Sequence, residues 1–391
     1  MHVGMTTFFQ NIGHAMSDAA VYAHEMSMAD LAEPLGFDSL WGAEHHFDDY
    51  TMCPNVAQFL TYMAGRTRKV KLGSMVMVLP WHDPVRLAEE VSVLDHLSGG
   101  RVILGIGRGL GRIEFRGFRL NMGESRTRFA EYAQAILQGL ESGYIEYDGE
   151  YLKQPRIAIR PAPIRSFADR TYAASVSPAS LEIMSRLGIG LLIIAQKPWE
   201  TTVKELTDYR ALFRQVNGRD APKPIIASFI AVAETEADAR EMFEKYIRGY
   251  AVSAVQHYEF HNAGLADIPG YEYYGKLAQN IRKHGLDSFV NFLAELQVWG
   301  TPDQVFNKLA EHQHLADSGG LIGAFSYGGM PHDVAKRNMT LFAERVLPRP
   351  LAIGKAPASG AAKTAARPGT SPVSPRGRWT IGRPRIPISQ R

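Results

Sequence analysis

Along most of this chain, short apolar or β-branched runs alternate with longer segments in which apolar residues recur at helical spacing. The runs at 3–9 (VGMTTFF), 39–43 (SLWGA), 70–79 (VKLGSMVMVL), 101–107 (RVILGIG), 171–176 (TYAASV), 190–195 (GLLIIA), 224–233 (PIIASFIAVA) and 320–327 (GLIGAFSY) read as strands. Among them lie eight helical patterns, such as VYAHEMSMADLAEPLG, PVRLAEEVSVLDHLS and TTVKELTDYRALFRQVNG. This alternation is the signature of a parallel sheet wound with helices, and eight of each predicts an α/β protein, a (β/α)8 TIM barrel. A doubly wound open sheet has the same alternation and is the structural alternative.

Two connections are longer than the rest. Residues 143–170 include YIEYDGEYL, where Asp148 and Gly149 suit a two-residue hairpin turn. Residues 261–319, an extended insertion between the seventh and eighth strands, hold PGYEYYGK and then GTPDQVFNKL, whose Thr301, Pro302 and Asp303 mark a helix start. In a TIM barrel both connections are candidates for lids over the C-terminal face.

Composition divides the 391 residues in two. With 45% hydrophobic and 21% charged residues the chain has enough apolar content for a sizeable core. Residues 349–391 hold nine Lys or Arg, seven Pro and no acidic residue. They therefore account for more than the whole formal charge of +3, and the remainder is net acidic, which argues against a nucleic-acid-binding body. The expected division is a barrel domain, 1–348, and a disordered basic Pro-rich tail, 349–391. No apolar run approaches the roughly 20 residues that span a bilayer, so no membrane association is expected. The lone Cys53 has no internal disulfide partner and the opening MHVGMTTFFQ lacks a secretory pattern, so a cytoplasmic protein is expected.

Candidate chemistry gathers where the strands end. Trp41-Gly42-Ala43-Glu44-His45-His46-Phe47 follows the second strand, and an imidazole there can move protons near neutral pH. A structural histidine cluster is the alternative; a metal site is disfavoured because no further ligands have matching spacing. His82 and Asp83 precede Pro84, where Asp83 suits a helix cap. GIGRGLG after the fourth strand places Arg108 between Gly107 and Gly109, but it lacks the strand-to-helix junction and downstream acid of a dinucleotide fingerprint. SVSPAS after the fifth strand offers Ser175, Ser177 and Ser180 around a helix begun by Pro178. A capped helix start binds phosphate readily, and Arg108 in the same ring of loops makes a phosphate clamp the better account.

These stretches together, EHHF, VLPWHDPVRLAEEVSVLDHLSGGRVILGIGRG, ESGYIEYDGEYLKQPRI and GTPDQV, resemble the bacterial luciferase-like flavin-dependent monooxygenases over about residues 1–348. The resemblance implies a reduced FMN (FMNH2) cofactor delivered by an NAD(P)H-dependent flavin reductase. It implies oxidation of a small, apolar organic substrate with O2 through a C4a-peroxyflavin. His45 matches the family's acid or base, Arg108 its phosphate-binding arginine, and Ser177 and Ser180 its hydroxyl ligands, with Ser175 and Val176 beside the flavin. The Met75–Val76 peptide matches a non-proline cis bond against the flavin ring, and Glu114 an acidic position near the cofactor. Phe8 and Trp41, with Val76, are expected to line the substrate cavity, and Tyr271, Tyr273 and Tyr274 hint at an apolar or aromatic substrate. A homodimer is implied, with PVRLAEEVSVLDHLS as a candidate seam. Gly107 and Val176 depart from luciferase, which has Cys and an acidic residue there, so light emission is not implied. The competing possibilities are a deazaflavin-dependent hydride-transfer enzyme and a non-catalytic luciferase-like subunit; Arg108 counts against the second, because such subunits lose that arginine.

Overall fold

The eight predicted runs form the staves of a closed barrel in the computed structural model, which describes residues 1–174 and 178–349. The strands are β1 (His2–Thr6), β2 (Ser39–Gly42), β3 (Lys71–Ser74), β4 (Met77–Val78), β5 (Val102–Gly107), β6 (Tyr144–Asp148), β7 (Lys153–Ala158), β8 (Thr171–Ala174), β9 (Gly190–Ile194), β10 (Ile225–Val232), β11 (Val298–Gly300) and β12 (Gly320–Ala324). Parallel pairing runs β1-β2-β3-β5-β8-β9-β10-β12, and β12 pairs back onto β1 with Met5 opposite Gly323. An open doubly wound sheet would leave two edges; here the ring closes and none of the eight staves is an edge.

The third predicted run is broken. Gly73 pairs with Ile103, whereas Met77 pairs with Ile106, so three residues of one strand face two of the next, a one-residue bulge. Within it the Met75–Val76 peptide is cis. The ladder is bridged by a side chain: Ser74 Oγ accepts from Gly105 N and donates to Gly105 O, both at 2.8 Å.

Inside the barrel, Trp41 forms a layer with Ile103, Leu192, Ile225, Ala227 and Ile322. Glycines make room for its indole: a Cβ on Gly73 would lie 2.2 Å from the ring, and one on Gly4 2.6 Å from Nε1. The larger core lies between barrel and helices.

Near the start of β5 a buried ion pair locks the chain. Arg170 forms a fork with Asp95 at 2.6 and 2.7 Å, donates to Val102 O, and lies 3.6 Å over the Phe167 ring. The 143–170 connection therefore departs from the expected lid. It follows the helix Ser125–Ser142 and feeds the N-terminal end of β8, so it packs against that helix and the N-terminal rim. Its β6–β7 hairpin forms, but Asp148 pairs with Lys153, which leaves a four-residue loop rather than a two-residue turn. The reason is Glu131, whose carboxylate accepts the backbone N–H groups of Glu150, Tyr151 and Leu152 at 2.7–2.9 Å.

The 261–319 insertion does reach the mouth. It folds as the short 3-10 segment Ala263–Asp267, the helices Glu272–His284 and Leu286–Glu295, and β11, which extends the sheet beside β10. The helix Pro302–Ala316 then starts as its sequence suggests: Thr301 accepts from Gln304 N while Gln304 answers Thr301 N, a capping box. Among the described residues no helix is long and apolar enough to cross a membrane. The expected tail lies outside the described residues except for Arg349, which pairs with Asp303 at 2.7 Å.

Candidate active site

A cleft opens at the C-terminal ends of the staves, walled by Glu44 and His45 after β2, Met75 and Val76 in the bulge, Gly107 at the end of β5 with Arg108 to Leu110 after it, and Ser180 and Met184 beyond β8. The helix Ser125–Ser142 adds Arg126 and Phe129, and the long β10–β12 connection adds Tyr258 and Tyr274. Parallel strands deliver every following loop to this one end, which is why residues distant in sequence meet there.

One end of the cleft is cationic. Arg108 Nη1 and Nη2 both donate to Gly270 O at 3.1 Å, and Arg126 Nη2 donates to the same oxygen at 3.0 Å. Arg108 also lies 3.9 Å over the Tyr271 ring, whose hydroxyl is tied to Ser125 and Gly109 O. Burial, then the neighbouring Arg108 cation, lower the Arg126 pKa, and Arg126 Nε is buried without a partner. No carboxylate forms an ion pair with either arginine among the described residues. Glu272 acts on both arginines from beyond ion-pair distance, so two guanidiniums sharing a neutral carbonyl are only partly compensated, and a bound anion would relieve both. Ser180 stands on the same cleft, on the helix Pro178–Leu187, which begins at the proline as predicted. Ser175, Val176 and Ser177 lie outside the described residues.

The other end carries two histidine networks. Glu44 is buried; its Oε1 meets His46 Nε2 at 3.0 Å and His82 Nε2 at 2.7 Å, and Oε2 accepts Val78 N–H at 2.8 Å. Burial opposes its ionisation, but these hydrogen bonds outweigh it and hold the carboxyl below its usual range. Asp83, as expected, caps the next helix by accepting from Arg86 N.

The second network centres on His45. Its Nδ1 is 2.8 Å from Glu114 Oε1 and 3.1 Å from His257 Nε2, and its Nε2 is 3.3 Å from Tyr258 Oη. His257 Nδ1 in turn meets Asp48 Oδ2 at 2.8 Å. Burial first, and His45 after it, keep the His257 pKa below the ordinary histidine value despite Asp48. The hydrogen bond from His257 holds Asp48 ionised, and burial keeps Tyr258 protonated.

His45, Glu114 and His257 place one donor atom each within 4.8 Å, supplying by tertiary contact the partners that sequence spacing denies to EHHF. Imidazole and carboxylate suit a divalent transition metal. The atoms are nevertheless already in hydrogen-bond contact, so an ion would have to displace the proton that they share.

The structure thus brings His45, Met75, Val76, Arg108, Ser180 and Glu114 to one cleft. It does not put Trp41 or Phe8 on the wall. Trp41 is fully buried in the layer beneath Met75 and Val76, and Phe8 packs edge-on with Tyr50, Phe229 and Tyr250. An aromatic residue near a strand end points inward or outward with the pleat, and both positions here are core. Sequence reasoning missed Asp48, which directly follows EHHF, and Arg126, His257 and Tyr258, which lie in helices or loops with no motif around them.

Residues 1–319 match the family model described as luciferase-like monooxygenase. The alkanal monooxygenase alpha chain of Photorhabdus luminescens is 31% identical over 177 residues, 45% of this chain and 49% of that protein. This chain spans about half the length of the first curated relatives that it matches. Three solved structures are similar in fold. They are the monooxygenase RslO1 of Streptomyces bottropensis (TM-score 0.72, 24% identity, 89% of this chain and 99% of that one), the FMN complex of the oxygenating constituent of 3,6-diketocamphane monooxygenase of Pseudomonas putida (0.67, 17%, 89% and 98%), and an F420-dependent secondary alcohol dehydrogenase (0.65, 13%, 88% and 98%). At these identities the structural likeness establishes the fold alone, whereas the family model covers most of the chain: the protein belongs to the luciferase-like monooxygenase family.

Proposed function

We propose that the protein is an FMN-dependent monooxygenase that takes reduced FMN from a separate NAD(P)H-dependent flavin reductase and uses O2 to oxidise a small, apolar organic molecule. The observation that carries this reading is the convergence of Arg108 and Arg126 on one carbonyl at the cleft, an anion site in search of its anion. Those two guanidiniums and Ser180 would hold the FMN phosphate. Met75 and Val76 would support the ring; a Cβ on Gly107 would lie 2.4 Å from Val76 Cγ2, so the wall is closed there.

FMN, when bound, supplies the activation of oxygen. The chain's own residues exclude water and move protons. Val76, Val78, Leu110, Phe129, Ile183 and Met184 make the wall largely apolar, which strengthens polar interactions inside. His45, with Nε2 beside Tyr258 Oη, is the proton-handling group. On the outer surface Tyr62, Val93 and Leu97 are exposed along two adjacent helices, Val56–Arg66 and Pro84–Ser98, and would form the seam of a homodimer.

Titrating the purified protein with FMN, riboflavin and a deazaflavin tests the cofactor. FMN is expected to bind most tightly, with the preference over riboflavin lost in Arg108→Ala. Binding of the deazaflavin without FMN would instead favour hydride transfer, the alternative that the F420-dependent neighbour brings forward. Oxygen uptake with a flavin reductase, NADH and FMN across aldehydes, ketones, terpenes, sulfonates and aromatic amines then finds the substrate class. Absence of any response, with FMN bound, would point to a non-catalytic subunit.

A further inference from the structure

We propose that His257 and Asp48 form a positioning pair behind His45, which fixes the His45 tautomer and carries its proton between the cleft and solvent. The inference rests on the assignment of His45 as the proton-handling group.

The geometry is a chain of three links. Asp48 Oδ2 to His257 Nδ1 is 2.8 Å, His257 Nε2 to His45 Nδ1 is 3.1 Å, and His45 Nε2 to Tyr258 Oη is 3.3 Å. Its ends differ in surroundings: the His257 side chain is 1% exposed, whereas Asp48 is 31% exposed and opens to water. Tyr50 holds the rings in place. It stacks on His257 at 4.4 Å and 9° and meets His45 edge-on at 5.1 Å.

Each proton position follows from its neighbour. Ionised Asp48 accepts only, so His257 carries its hydrogen on Nδ1 and turns a lone pair on Nε2 toward His45. Glu114 Oε1, 2.8 Å from the same His45 Nδ1, also accepts, so His45 carries its hydrogen on Nδ1 and shares it between the two. His45 Nε2 is left as the acceptor facing Tyr258, on the cleft. The titratable groups around His257 are Asp48, His45, Glu114, Tyr50 and Tyr258.

Glu114 cannot serve as the exit. Its side chain is 0% exposed and Oε2 has no partner, so a proton placed there is trapped. Through His257 the path continues. His45 takes a proton from the cleft on Nε2 and releases one from Nδ1 to His257 Nε2; His257 gives its Nδ1 proton to Asp48, which passes it to water. One proton crosses, no charge remains, and both rings end as the opposite tautomer. Passage inward in the other half of a turnover restores them.

The test reads ring-nitrogen NMR of the full-length protein, with His45→Gln and His257→Phe used for assignment. Both rings are expected as Nδ1–H tautomers at neutral pH. In Asp48→Ala His257 should convert toward Nε2–H, whose hydrogen then faces His45 Nδ1 and shifts the His45 population away from Nδ1–H against the pull of Glu114, and Asp48→Glu should restore both. This readout needs no flavin, so it decides the pair even if FMN fails to bind. Where FMN binds, the pH profile of single-turnover oxidation of the reduced complex should move in Asp48→Ala. The proton-dependent step should slow roughly tenfold or more with FMN affinity unchanged. An unchanged His45 tautomer in folded Asp48→Ala would overturn the proposal. So would stoichiometric Zn²⁺ binding lost in His257→Phe, which would make the cluster a metal centre.

Discussion

At the residue scale, the charge arrangement around Gly270 carries the sharpest expectation. Arg126 is half-buried beside a second cation, so it is held in a costly place by packing, and the proposed anion would make that place favourable. Arg126→Ala should weaken FMN binding about 10- to 100-fold, the equivalent of one charge-assisted hydrogen bond, while riboflavin binding stays nearly constant. Fluorescence titration with both ligands checks this. Equal losses for both would show that the arginine supports the loop rather than the phosphate. The sequence makes Arg108 visible because glycines on either side leave it little role but contact. Arg126 sits in an ordinary amphipathic helix, and only the packing of that helix over the cleft distinguishes it from a surface cation.

At the scale of elements, the break between β3 and β4 shapes the cleft. The run VKLGSMVMVL has continuous apolar character, and hydropathy predicts one uninterrupted strand. What interrupts it is Ser74, whose hydroxyl takes over both backbone groups of Gly105. Close approach requires glycine there, since a Cβ on Gly105 would lie 1.9 Å from Ser74 O. Ser74→Ala should therefore strand a buried donor and a buried acceptor and cost about 2–4 kcal/mol, measured as a lower urea midpoint with unchanged slope. A loss below about 0.5 kcal/mol would mean that the strands re-pair without the side chain. The hairpin teaches the same lesson. Asp-Gly suits a tight turn by local chemistry, yet Glu131 collects three amides from a longer loop, and that tertiary contact prevails.

The whole molecule adds its pH response and its assembly. His312 is buried on the helix Pro302–Ala316 against Trp199, and burial, with Lys308 adding to it, pushes its pKa down to about 3. The unfolded chain binds that proton near the ordinary histidine value of 6.5, so the stability is full above it and is lost as pH falls toward 3. Between pH 7 and pH 4.5 the loss from this one group is roughly 2–3 kcal/mol. Urea unfolding at both pH values should show a smaller drop for His312→Leu than for the wild type. Equal drops would mean that the ring protonates freely in the fold. For assembly, the proposed homodimer seam is tested by Leu97→Glu, which places a charge among the exposed Tyr62, Val93 and Leu97 and is expected to leave a monomer in sedimentation velocity where the wild type is a dimer. A dimer that survives would place the seam elsewhere.

By itself the sequence determined the barrel. Alternation of strand and helix periods depends on local hydrophobicity, and eight repeats leave closure as the way to remove both edges. It also determined the helix starts at Pro84, Pro178 and Pro302, because a first-turn proline and, at Asp83 and Thr301, a capping side chain act within four residues. Tertiary structure alone decided which strand ends and insertions share the mouth: His257 reaches His45 across 212 positions, and Arg126 joins Arg108 on a carbonyl of the insertion. Trp41, legible as an aromatic beside the site, became the layer beneath it. The physical reason is common to all of these. Backbone preferences act over a few residues, whereas a site is assembled by contacts whose partners are named only when the ring has closed.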